Sequence, residues 1–224
     1  FTHHGDKNKR RTQLMVFDFT EKEKGIQPRT IWCLGRNYAK HAEELGNAVE
    51  ARPLVFQKGL NALVPMQRTQ TLFPGHGDVH YETEIVALMD RNDSGSFIAA
   101  IGLGLDLTLR DLQNELKAEG KPWTLAKSFD GAAIVSRFIS TNEIPSLNQI
   151  RFTMLLNGEI RQRGDSSQMI LPFEKIPAYL EEFTDLQPGD IIFTGTPEGV
   201  GVLKSGDEVS LDLAGHHMGT IRFN

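Results

Sequence analysis

Two glutamates, Glu82 and Glu84, lie two residues apart at the start of an apolar stretch that runs to Met89. Residues 85–89 favour a buried β-strand, and side chains two positions apart on a strand point to the same side. Both carboxylates therefore face one spot. Two negative charges so close are unfavourable unless one carboxylate is protonated or a cation lies between them. Taken alone, the pair fits a solvated edge strand equally well.

A third carboxylate, Asp106, is predicted to join this pair. Residues 90–96 are rich in turn-forming side chains, and residues 97–107 are typical of a returning strand. A hairpin centred near Ser94 places Asp106 opposite Glu82, whereas a slip of one residue would turn it to the other face. Three carboxylates with no histidine or cysteine among them favour Mg²⁺, Mn²⁺ or Ca²⁺ over Zn²⁺.

A histidine and a glutamate, His41 and Glu44, are three positions apart in a predicted helix over residues 38–45, with Asn37 as its N-cap. Residues at this spacing are neighbours on one helix face. A carboxylate so placed fixes the tautomer of the imidazole and raises its basicity, as a general base requires. The alternative is a surface helix whose charges are solvated.

Further polar side chains follow the predicted hairpin. Residues 108–117 are predicted to form a helix that opens with a Thr-x-x-Asp pattern similar to a capping box. Arg110 and Gln113 lie on one face of that helix. Lys127 stands in the apolar surroundings of residues 123–129. Buried lysines rarely lack a partner, although a long side chain can also reach solvent.

The remainder of the chain has mostly the pattern of β-strands. Asn157-Gly158 lies between two apolar runs and predicts a hairpin turn. A helix is predicted over residues 173–184. Its inner side would carry three apolar residues, Ile176, Leu180 and Phe183. The glycine-rich loop 195–201 lacks the lysine of a P-loop, so we expect it to let the backbone approach a ligand or another strand closely.

Composition sets outer limits on the function. The 224 residues are 39% hydrophobic and 24% charged, with a net charge of −5, which is typical of one large globular domain. This charge gives no reason to expect nucleic acid or an anionic membrane as a partner. No apolar run reaches the roughly 18–20 residues of a transmembrane helix. A single cysteine, Cys33, excludes a disulfide within the chain and favours a reducing compartment, the cytoplasm or, in a eukaryote, the mitochondrial matrix.

The chain is expected to comprise an N-terminal arm and one domain. Residues 1–27 are interpreted as an arm or leader with a short lead-in, because residues 1–14 are polar and basic and lack an apolar core segment. Residues 28–224 are expected to form a single catalytic, metal-binding domain of the α+β class, rich in strands.

Five segments, in order, resemble the fumarylacetoacetate hydrolase family and in particular its small single-domain, acylpyruvase-like members. They are Gly35-Arg-Asn-Tyr-x-x-His-x-x-Glu44, His80-Tyr-Glu-x-Glu84, Leu105-Asp-Leu-Thr-x-Arg-Asp111, Trp123-Thr-Leu-Ala-Lys-Ser128 and Gly189-Asp-Ile-Ile-x-Thr-Gly-Thr-Pro-x-Gly-Val-Gly201. The resemblance implies a mixed β-roll or barrel of the family's C-terminal-domain type, with short flanking helices. It also implies a homodimer.

The same resemblance implies roles for ten residues. The ligands of a divalent metal, expected to be Mg²⁺ with Mn²⁺ or Ca²⁺ as alternatives, would be Glu82, Glu84 and Asp106. The catalytic residues would be His41, Glu44 and Lys127. The substrate-side residues would be Arg36, Arg110, Gln113 and Thr196.

These roles imply hydrolysis of a carbon–carbon bond in a 3-acylpyruvate such as acetylpyruvate or fumarylpyruvate. His41, backed by Glu44, would activate water, Lys127 and Gln113 would stabilise the oxyanion, and the metal would stabilise the departing pyruvate enolate. Two alternatives use the same metal site, namely decarboxylation of oxaloacetate and tautomerisation of a 2-oxo diacid. An alternative of another class is a non-catalytic protein that binds metal and an oxo acid, which has no use for the His41–Glu44 pair.

Overall fold

The structure is a computed structural model that describes residues 16–17, 27–44, 52–66 and 69–224. Within these ranges the α-helices are short: α1 Ala39–Glu44, α2 Arg110–Ala118, α3 Thr124–Lys127 and α4 Ile176–Glu181. The strands of the same ranges are β1 Val16–Phe17, β2 Ile31–Gly35, β3 Leu54–Lys58, β4 Leu63–Pro65, β5 Thr69–Gln70, β6 Val79–Tyr81, β7 Thr83–Asn92, β8 Gly95–Asp106, β9 Thr108–Leu109, β10 Ala133–Val135, β11 Phe138–Ser140, β12 Arg151–Leu156, β13 Glu159–Asp165, β14 Ile191–Phe193, β15 Gly201–Val202, β16 Glu208–Leu213 and β17 His216–Phe223. None of the described helices is long and apolar enough to cross a membrane.

The largest sheet runs through the core. Its described strands follow the order β1-β11-β8-β7-β14-β2-β3, and β10 joins β8 to β4. The residues of β7 from 83 to 89 are buried without interruption, as expected of a strand that is covered on both faces. The predicted strand-rich α+β fold is therefore confirmed, with this curled sheet as its centre.

The hairpin that carries the carboxylates forms as predicted. Strands β7 and β8 pair antiparallel around a turn at Asp93 and Ser94. The predicted strand over residues 79–89 is broken at Glu82, which lies between β6 and β7. The backbone N–H of Asp106 donates to the carbonyl oxygen of Glu82 at 2.9 Å. Asp106 thus lies opposite Glu82, in the predicted register.

Two smaller sheets pack beside the main one, in the orders β13-β12-β16-β17-β5 and β15-β6-β9. The predicted hairpin turn at Asn157-Gly158 joins β12 to β13. Asn157 has φ 53° and Gly158 has φ 82°, and positive φ at both turn residues matches the right-handed twist of a two-residue hairpin. In the third sheet, β15 begins at Gly201, the last residue of loop 195–201, and pairs with β6, which in turn pairs with β9. This pairing holds the end of the loop beside β6.

The two predicted helix caps are wrong. The side-chain oxygen of Asn37 accepts from the Leu171 N–H at 2.8 Å, and its amide donates to the Thr194 carbonyl oxygen at 2.9 Å. Asn37 therefore ties the start of α1 to two distant loops. Thr108 lies in β9, and α2 begins two residues later at Arg110 with no side-chain cap, because the Thr108 hydroxyl is engaged elsewhere.

The predicted helix over residues 173–184 is shorter than expected. A 3₁₀ turn over Phe173–Lys175 leads into α4, which ends at Glu181. Ile176 and Leu180 are buried as predicted, whereas Phe183 is 71% exposed. Phe183 follows the end of the helix, so the helical spacing that predicted its burial no longer applies.

The predicted N-terminal arm lies mostly outside the described residues. Of residues 1–27, the structure describes Val16, Phe17 and Gln27. Val16 and Phe17 pair antiparallel with β11 and add a short strand to the main sheet. The boundary at residue 27 stays a prediction.

Candidate active site

A cavity of about 480 Å³ lies where β6, β7 and β8 meet helices α1, α2 and α3. All ten residues predicted for the site line it: Arg36, His41, Glu44, Glu82, Glu84, Asp106, Arg110, Gln113, Lys127 and Thr196. The fold therefore brings together segments that the sequence separates by more than a hundred residues. Their individual roles stay predictions.

Three carboxylates form the acidic part of this cavity. Glu82, Glu84 and Asp106 are all buried, and each offers one oxygen such that the three atoms lie within 4.8 Å of one another. Glu82 lies at the break between β6 and β7, Glu84 lies in β7, and Asp106 ends β8. The hydrogen bond from the Asp106 N–H to the Glu82 carbonyl oxygen holds the three residues side by side.

Three cations face these carboxylates. Lys127 Nζ lies 2.7 Å from Glu82 Oε2 and 2.9 Å from Asp106 Oδ2. Lys58 Nζ lies 2.7 Å from Asp106 Oδ1, and the Arg110 guanidinium donates to Glu82 Oε1. Lys127 is only 3% exposed, so the alternative in which its side chain reaches solvent is wrong. All three cations pair with Glu82 or Asp106.

The ion pairs shift the pKa values of both partners. Burial alone would raise the pKa of Glu82, but the charges of Lys127 and Arg110 outweigh it and hold that pKa below its ordinary value. Burial would lower the pKa of Lys127, yet Asp106 and Glu82 raise it above its ordinary value. Glu82 and Lys127 are therefore both ionised at neutral pH.

Glu84 has a different environment. Its Oε2 accepts from the backbone N–H of Gly195 at 2.7 Å, and no described lysine or arginine forms an ion pair with it. Burial, followed by the negative charges of Asp106 and Glu82, raises its pKa well above the ordinary value. A cation among the three carboxylates would remove this penalty. The hard oxygen donors therefore fit a divalent metal such as Mg²⁺, Mn²⁺ or Ca²⁺.

The predicted pair on α1 is in contact. His41 Nδ1 lies 3.3 Å from Glu44 Oε2, and Glu44 also accepts from the backbone N–H of Gly199 at 3.1 and 3.3 Å. Because an ionised carboxylate only accepts hydrogen bonds, the hydrogen must lie on Nδ1. This leaves Nε2 of a neutral His41 free to take a proton. His41 is 5% exposed and lines the cavity, so the alternative of a solvated surface helix does not describe it.

Arg110, Gln113 and Thr196 are held by further hydrogen bonds. As predicted, Arg110 and Gln113 share a face, and the Arg110 guanidinium donates to Gln113 Oε1 at 2.6 Å. The Gln113 NH₂ group is then the donor left for a ligand. The Thr196 hydroxyl donates to the Thr83 carbonyl oxygen at 2.9 Å and accepts from Gln162 at 2.8 Å, which holds loop 195–201 against the carboxylate strand.

Arg36 occupies the turn between β2 and α1. Its φ of 61° lies in the left-handed region, which is uncommon for a residue other than glycine, asparagine or aspartate. Such a conformation costs roughly 1–3 kcal/mol and persists only where the surrounding structure imposes it. The Arg36 guanidinium lies 6.0 Å from the centre of the Trp123 ring on the wall of the cavity.

Two further residues support the site and were not predicted from the sequence. Lys58 is 3% exposed and bonds to Asp106 and to the carbonyl oxygen of Lys127. A lysine that ends the apolar strand β3 is a signal that could have identified it. Gln162 is 1% exposed and accepts from the Thr83 N–H at 3.0 Å. It gave no signal, because its burial depends on how the second sheet packs against the first.

The chain combines a strand-rich fold with a cavity that holds three buried carboxylates, and this combination defines a class of enzymes. Residues 30–224 match the family model described as fumarylacetoacetate (FAA) hydrolase C-terminal. This match covers most of the chain, and the protein therefore belongs to the fumarylacetoacetate hydrolase family. The resemblance drawn from the five sequence segments is confirmed.

Two relatives and one solved structure illustrate the similarity. The chain is 37% identical over 195 residues to the mitochondrial oxaloacetate tautomerase of Rattus norvegicus, covering 84% of this chain and 88% of that protein. It is 38% identical over 198 residues to an oxaloacetate tautomerase of Escherichia coli strain K12, covering 85% and 90%. The crystal structure of fumarylpyruvate hydrolase from Pseudomonas aeruginosa, in complex with Mn²⁺ and pyruvate, has a TM-score of 0.84 at 30% identity and covers 94% of this chain and 95% of its own.

Proposed function

We propose that this protein is a divalent-metal-dependent enzyme that interconverts the keto and enol forms of oxaloacetate. The observation that carries the proposal is the presence, in one cavity, of three convergent carboxylates and a His–Glu pair with a free ring nitrogen. The similarity to two oxaloacetate tautomerases supports this reaction over the acylpyruvate hydrolysis expected from the sequence.

Glu82, Glu84 and Asp106 would hold the metal, with Mg²⁺ preferred and Mn²⁺ or Ca²⁺ as alternatives. A divalent ion bound there supplies positive charge that binds the carboxylate and adjacent carbonyl oxygen of a 2-oxo acid and polarises that carbonyl. The Lys127 ammonium has three acceptors, namely Glu82, Asp106 and the Thr108 hydroxyl at 2.8 Å. Each of the three ammonium hydrogens of Lys127 therefore has an acceptor within the protein. In this proposal Lys127 holds Glu82 and Asp106 in place and does not make the oxyanion contact that was predicted for it.

Tautomerisation requires a proton to leave carbon 3 and another to reach the carbonyl oxygen on carbon 2. The C–H bond breaks, its electron pair forms the carbon–carbon double bond, and the carbonyl π pair moves to oxygen. His41 Nε2 would take the proton from carbon 3, with Glu44 stabilising the imidazolium through Nδ1. The enolate oxygen on carbon 2 would take its proton from water, and the imidazolium would return its proton to the hydroxide that is left. The Gln113 NH₂ group, oriented by Arg110, would donate a hydrogen bond to the substrate.

Hydrolysis of a 3-acylpyruvate is the second candidate. It is supported by the similarity to the Pseudomonas fumarylpyruvate hydrolase and by the same His41–Glu44 pair, which could deprotonate water. Decarboxylation of oxaloacetate is a third reaction open to the same site. The bond between carbons 3 and 4 breaks, CO₂ leaves and the electron pair forms the enolate of pyruvate, so no proton is removed from carbon 3. The predicted homodimer stays a prediction.

One preparation of the protein tests all three reactions. Enol oxaloacetate is followed by the loss of its ultraviolet absorbance, decarboxylation by the pyruvate released, and hydrolysis by the loss of acetylpyruvate and fumarylpyruvate. Each assay is run with Mg²⁺ and again after treatment with EDTA. We expect fast, EDTA-sensitive tautomerisation that exceeds the other two rates.

Two results would contradict the proposal. A faster rate with an acylpyruvate than with oxaloacetate would favour the hydrolase, and tautomerisation that EDTA leaves intact would remove the metal from the reaction. Metal-dependent binding of oxaloacetate with no turnover in any assay would favour a non-catalytic binding protein.

A further inference from the structure

The cavity is larger than oxaloacetate requires. Its volume is about 480 Å³, and because a water molecule takes up about 30 Å³ of the liquid, this equals roughly sixteen waters. Oxaloacetate has nine non-hydrogen atoms, and bonded atoms occupy less space than the same number of separate waters. The cavity therefore has room for a substrate that carries a larger group on carbon 3.

Two aromatic rings, called here the aromatic pair, border the carboxylates. Phe56 in β3 and Trp123, which precedes α3, both line the cavity and are half-buried. The ammonium of Lys127, which bonds to two of the carboxylates, lies 5.4 Å from the centre of the Phe56 ring. The two ring centres are 6.3 Å apart and the ring planes make an angle of 63°, a T-shaped arrangement that aromatic side chains favour. The pair thus begins beside the carboxylates and continues along the wall to Trp123.

The aromatic pair suits an aryl group better than a second carboxylate. One cation lies near each ring, Lys127 at Phe56 and Arg36 at 6.0 Å from the centre of the Trp123 ring, and such contacts hold the rings in place. A carboxylate placed against ring carbon would lose its water without gaining a hydrogen bond, which is costly. A further aromatic ring would bury apolar surface there and add a favourable ring contact. Oxaloacetate therefore leaves the ring carbons of this wall unused.

We propose that the aromatic pair binds an aryl group on carbon 3 of the substrate, so that the protein also tautomerises 3-aryl-2-oxo acids. This inference rests on the proposed function, in that the 2-oxo acid end lies at the three carboxylates and His41 takes the proton from carbon 3. The C–H bond on carbon 3 breaks, its electron pair forms the double bond between carbons 2 and 3, and the carbonyl oxygen takes a proton. The new double bond is conjugated with the aryl ring, which stabilises the enol.

Phenylpyruvate and pyruvate differ only in the phenyl group on carbon 3, so the ratio of their dissociation constants measures the subsite directly. With Mg²⁺ present, calorimetry should show that wild type binds phenylpyruvate about ten- to a hundredfold more tightly than pyruvate. Trp123→Ala should lower this ratio by about tenfold, and Trp123→Phe should keep most of it because a ring remains. Leu125→Ala is the matched control and should leave the ratio unchanged, since Leu125 is 68% exposed on α3 and outside the cavity lining. If Trp123→Ala does not fold, Phe56→Leu should lower the same ratio.

Turnover is followed by the loss of the ultraviolet absorbance of enol phenylpyruvate. We expect wild type to tautomerise it, and Trp123→Ala to lower kcat/KM for phenylpyruvate about tenfold relative to oxaloacetate, mainly through KM. If wild type turns over neither compound, the proposed function fails, and the binding ratio still decides whether the aromatic pair is an aryl subsite.

Three results would overturn the inference while the proposed function stands. In the first, oxaloacetate is tautomerised but phenylpyruvate is not. In the second, phenylpyruvate binds wild type no more tightly than pyruvate. In the third, Trp123→Ala lowers turnover of oxaloacetate and phenylpyruvate equally, as a merely structural role of the ring predicts.

Discussion

The three carboxylates of the site differ in how their charges are compensated. Glu82 lies against Lys127 and Arg110, and Asp106 lies against Lys127 and Lys58. Glu84 accepts one backbone hydrogen bond from Gly195. Without metal, the ionised form of Glu84 therefore destabilises the folded protein, whereas Glu82 stabilises it through its ion pairs.

The substitution Glu84→Gln is expected to stabilise the metal-free protein at pH 7. A carboxyl whose pKa is raised on folding binds more protons in the native state than in the unfolded state. Its contribution to stability therefore falls as pH rises above the ordinary glutamate value of about 4.3. Glutamine has no proton to lose and stays neutral, so the free energy of unfolding of Glu84→Gln in EDTA should fall less as pH rises. Urea unfolding between pH 4 and pH 8 measures the effect.

Glu82→Gln is the matched control, and the opposite result is expected. Its pKa is lowered on folding, so its stabilising contribution is present above the ordinary value and is lost only as pH falls through the lowered value. Removing one partner of a buried ion pair costs about 3–5 kcal/mol. If the two variants changed stability in the same direction, the electrostatic distinction between these glutamates would be wrong.

His41→Ala is expected to lower kcat for tautomerisation by about 10²–10⁴, the usual contribution of a general base. Glu44→Gln should lower it less, because the Nδ1 partner is kept while the charge that stabilises the imidazolium is lost. Steady-state rates with Mg²⁺ measure both. His217→Ala serves as the control, since that side chain is 58% exposed and outside the cavity. Wild-type turnover by His41→Ala would exclude His41 as the base.

At the scale of elements, helix α1 contacts loop 195–201 through Glu44 and through an exposed ion pair between Lys40 and Glu198 at 3.5 Å. Glu44 accepts from the Gly199 N–H while it contacts His41, so the loop fixes the carboxylate that orients the imidazole. Gly199 has φ 95°, and a Cβ there would lie 2.3 Å from the Arg161 carbonyl oxygen. Any side chain at this position must move the loop.

Gly199→Ala is therefore expected to lower both kcat and the unfolding temperature. The displaced amide would no longer hold Glu44, and the clash with the Arg161 backbone cannot be relieved by a rotamer change. Gly206→Ala is the matched control, since Gly206 has φ 93° but nothing within 4 Å of a Cβ. It should cost about 1–2 kcal/mol of stability from backbone strain alone and leave kcat unchanged. Equal kcat in the two variants would show that the contact between loop and helix is dispensable.

Elements fixed by local sequence were predicted well, and those fixed by distant contacts were not. The β7–β8 hairpin follows from turn residues near Ser94 and an apolar pattern on either side, so the register of Asp106 against Glu82 could be derived. The caps failed because Asn37 and Thr108 bond to residues far along the chain, Leu171 and Lys127. No local pattern encodes such bonds.

At the scale of the whole molecule, the candidate metal site exists only in the folded chain. Its ligands come from the break between β6 and β7 and from the end of β8, and its flanking cations come from β3, α2 and α3. The sequence predicted the ligands because two lie on one short stretch and the third lies across a hairpin. Lys58 belongs to a strand that pairs only with β2 among the described strands, so its approach to Asp106 depends on the assembled sheet.

Mg²⁺ is therefore expected to raise the unfolding temperature of the wild-type protein, because a ligand that binds only the native state stabilises it by mass action. At a free concentration of one hundred times its Kd, the gain is about 2.7 kcal/mol, or roughly 5–10 °C for a chain of this size. Thermal unfolding with Mg²⁺ and with EDTA, at matched ionic strength, measures the shift. Glu84→Gln loses a ligand but should fold, so its unfolding temperature should be nearly independent of Mg²⁺. An equal Mg²⁺ shift in wild type and Glu84→Gln would place the ion elsewhere, and no shift in wild type would exclude a resident divalent metal.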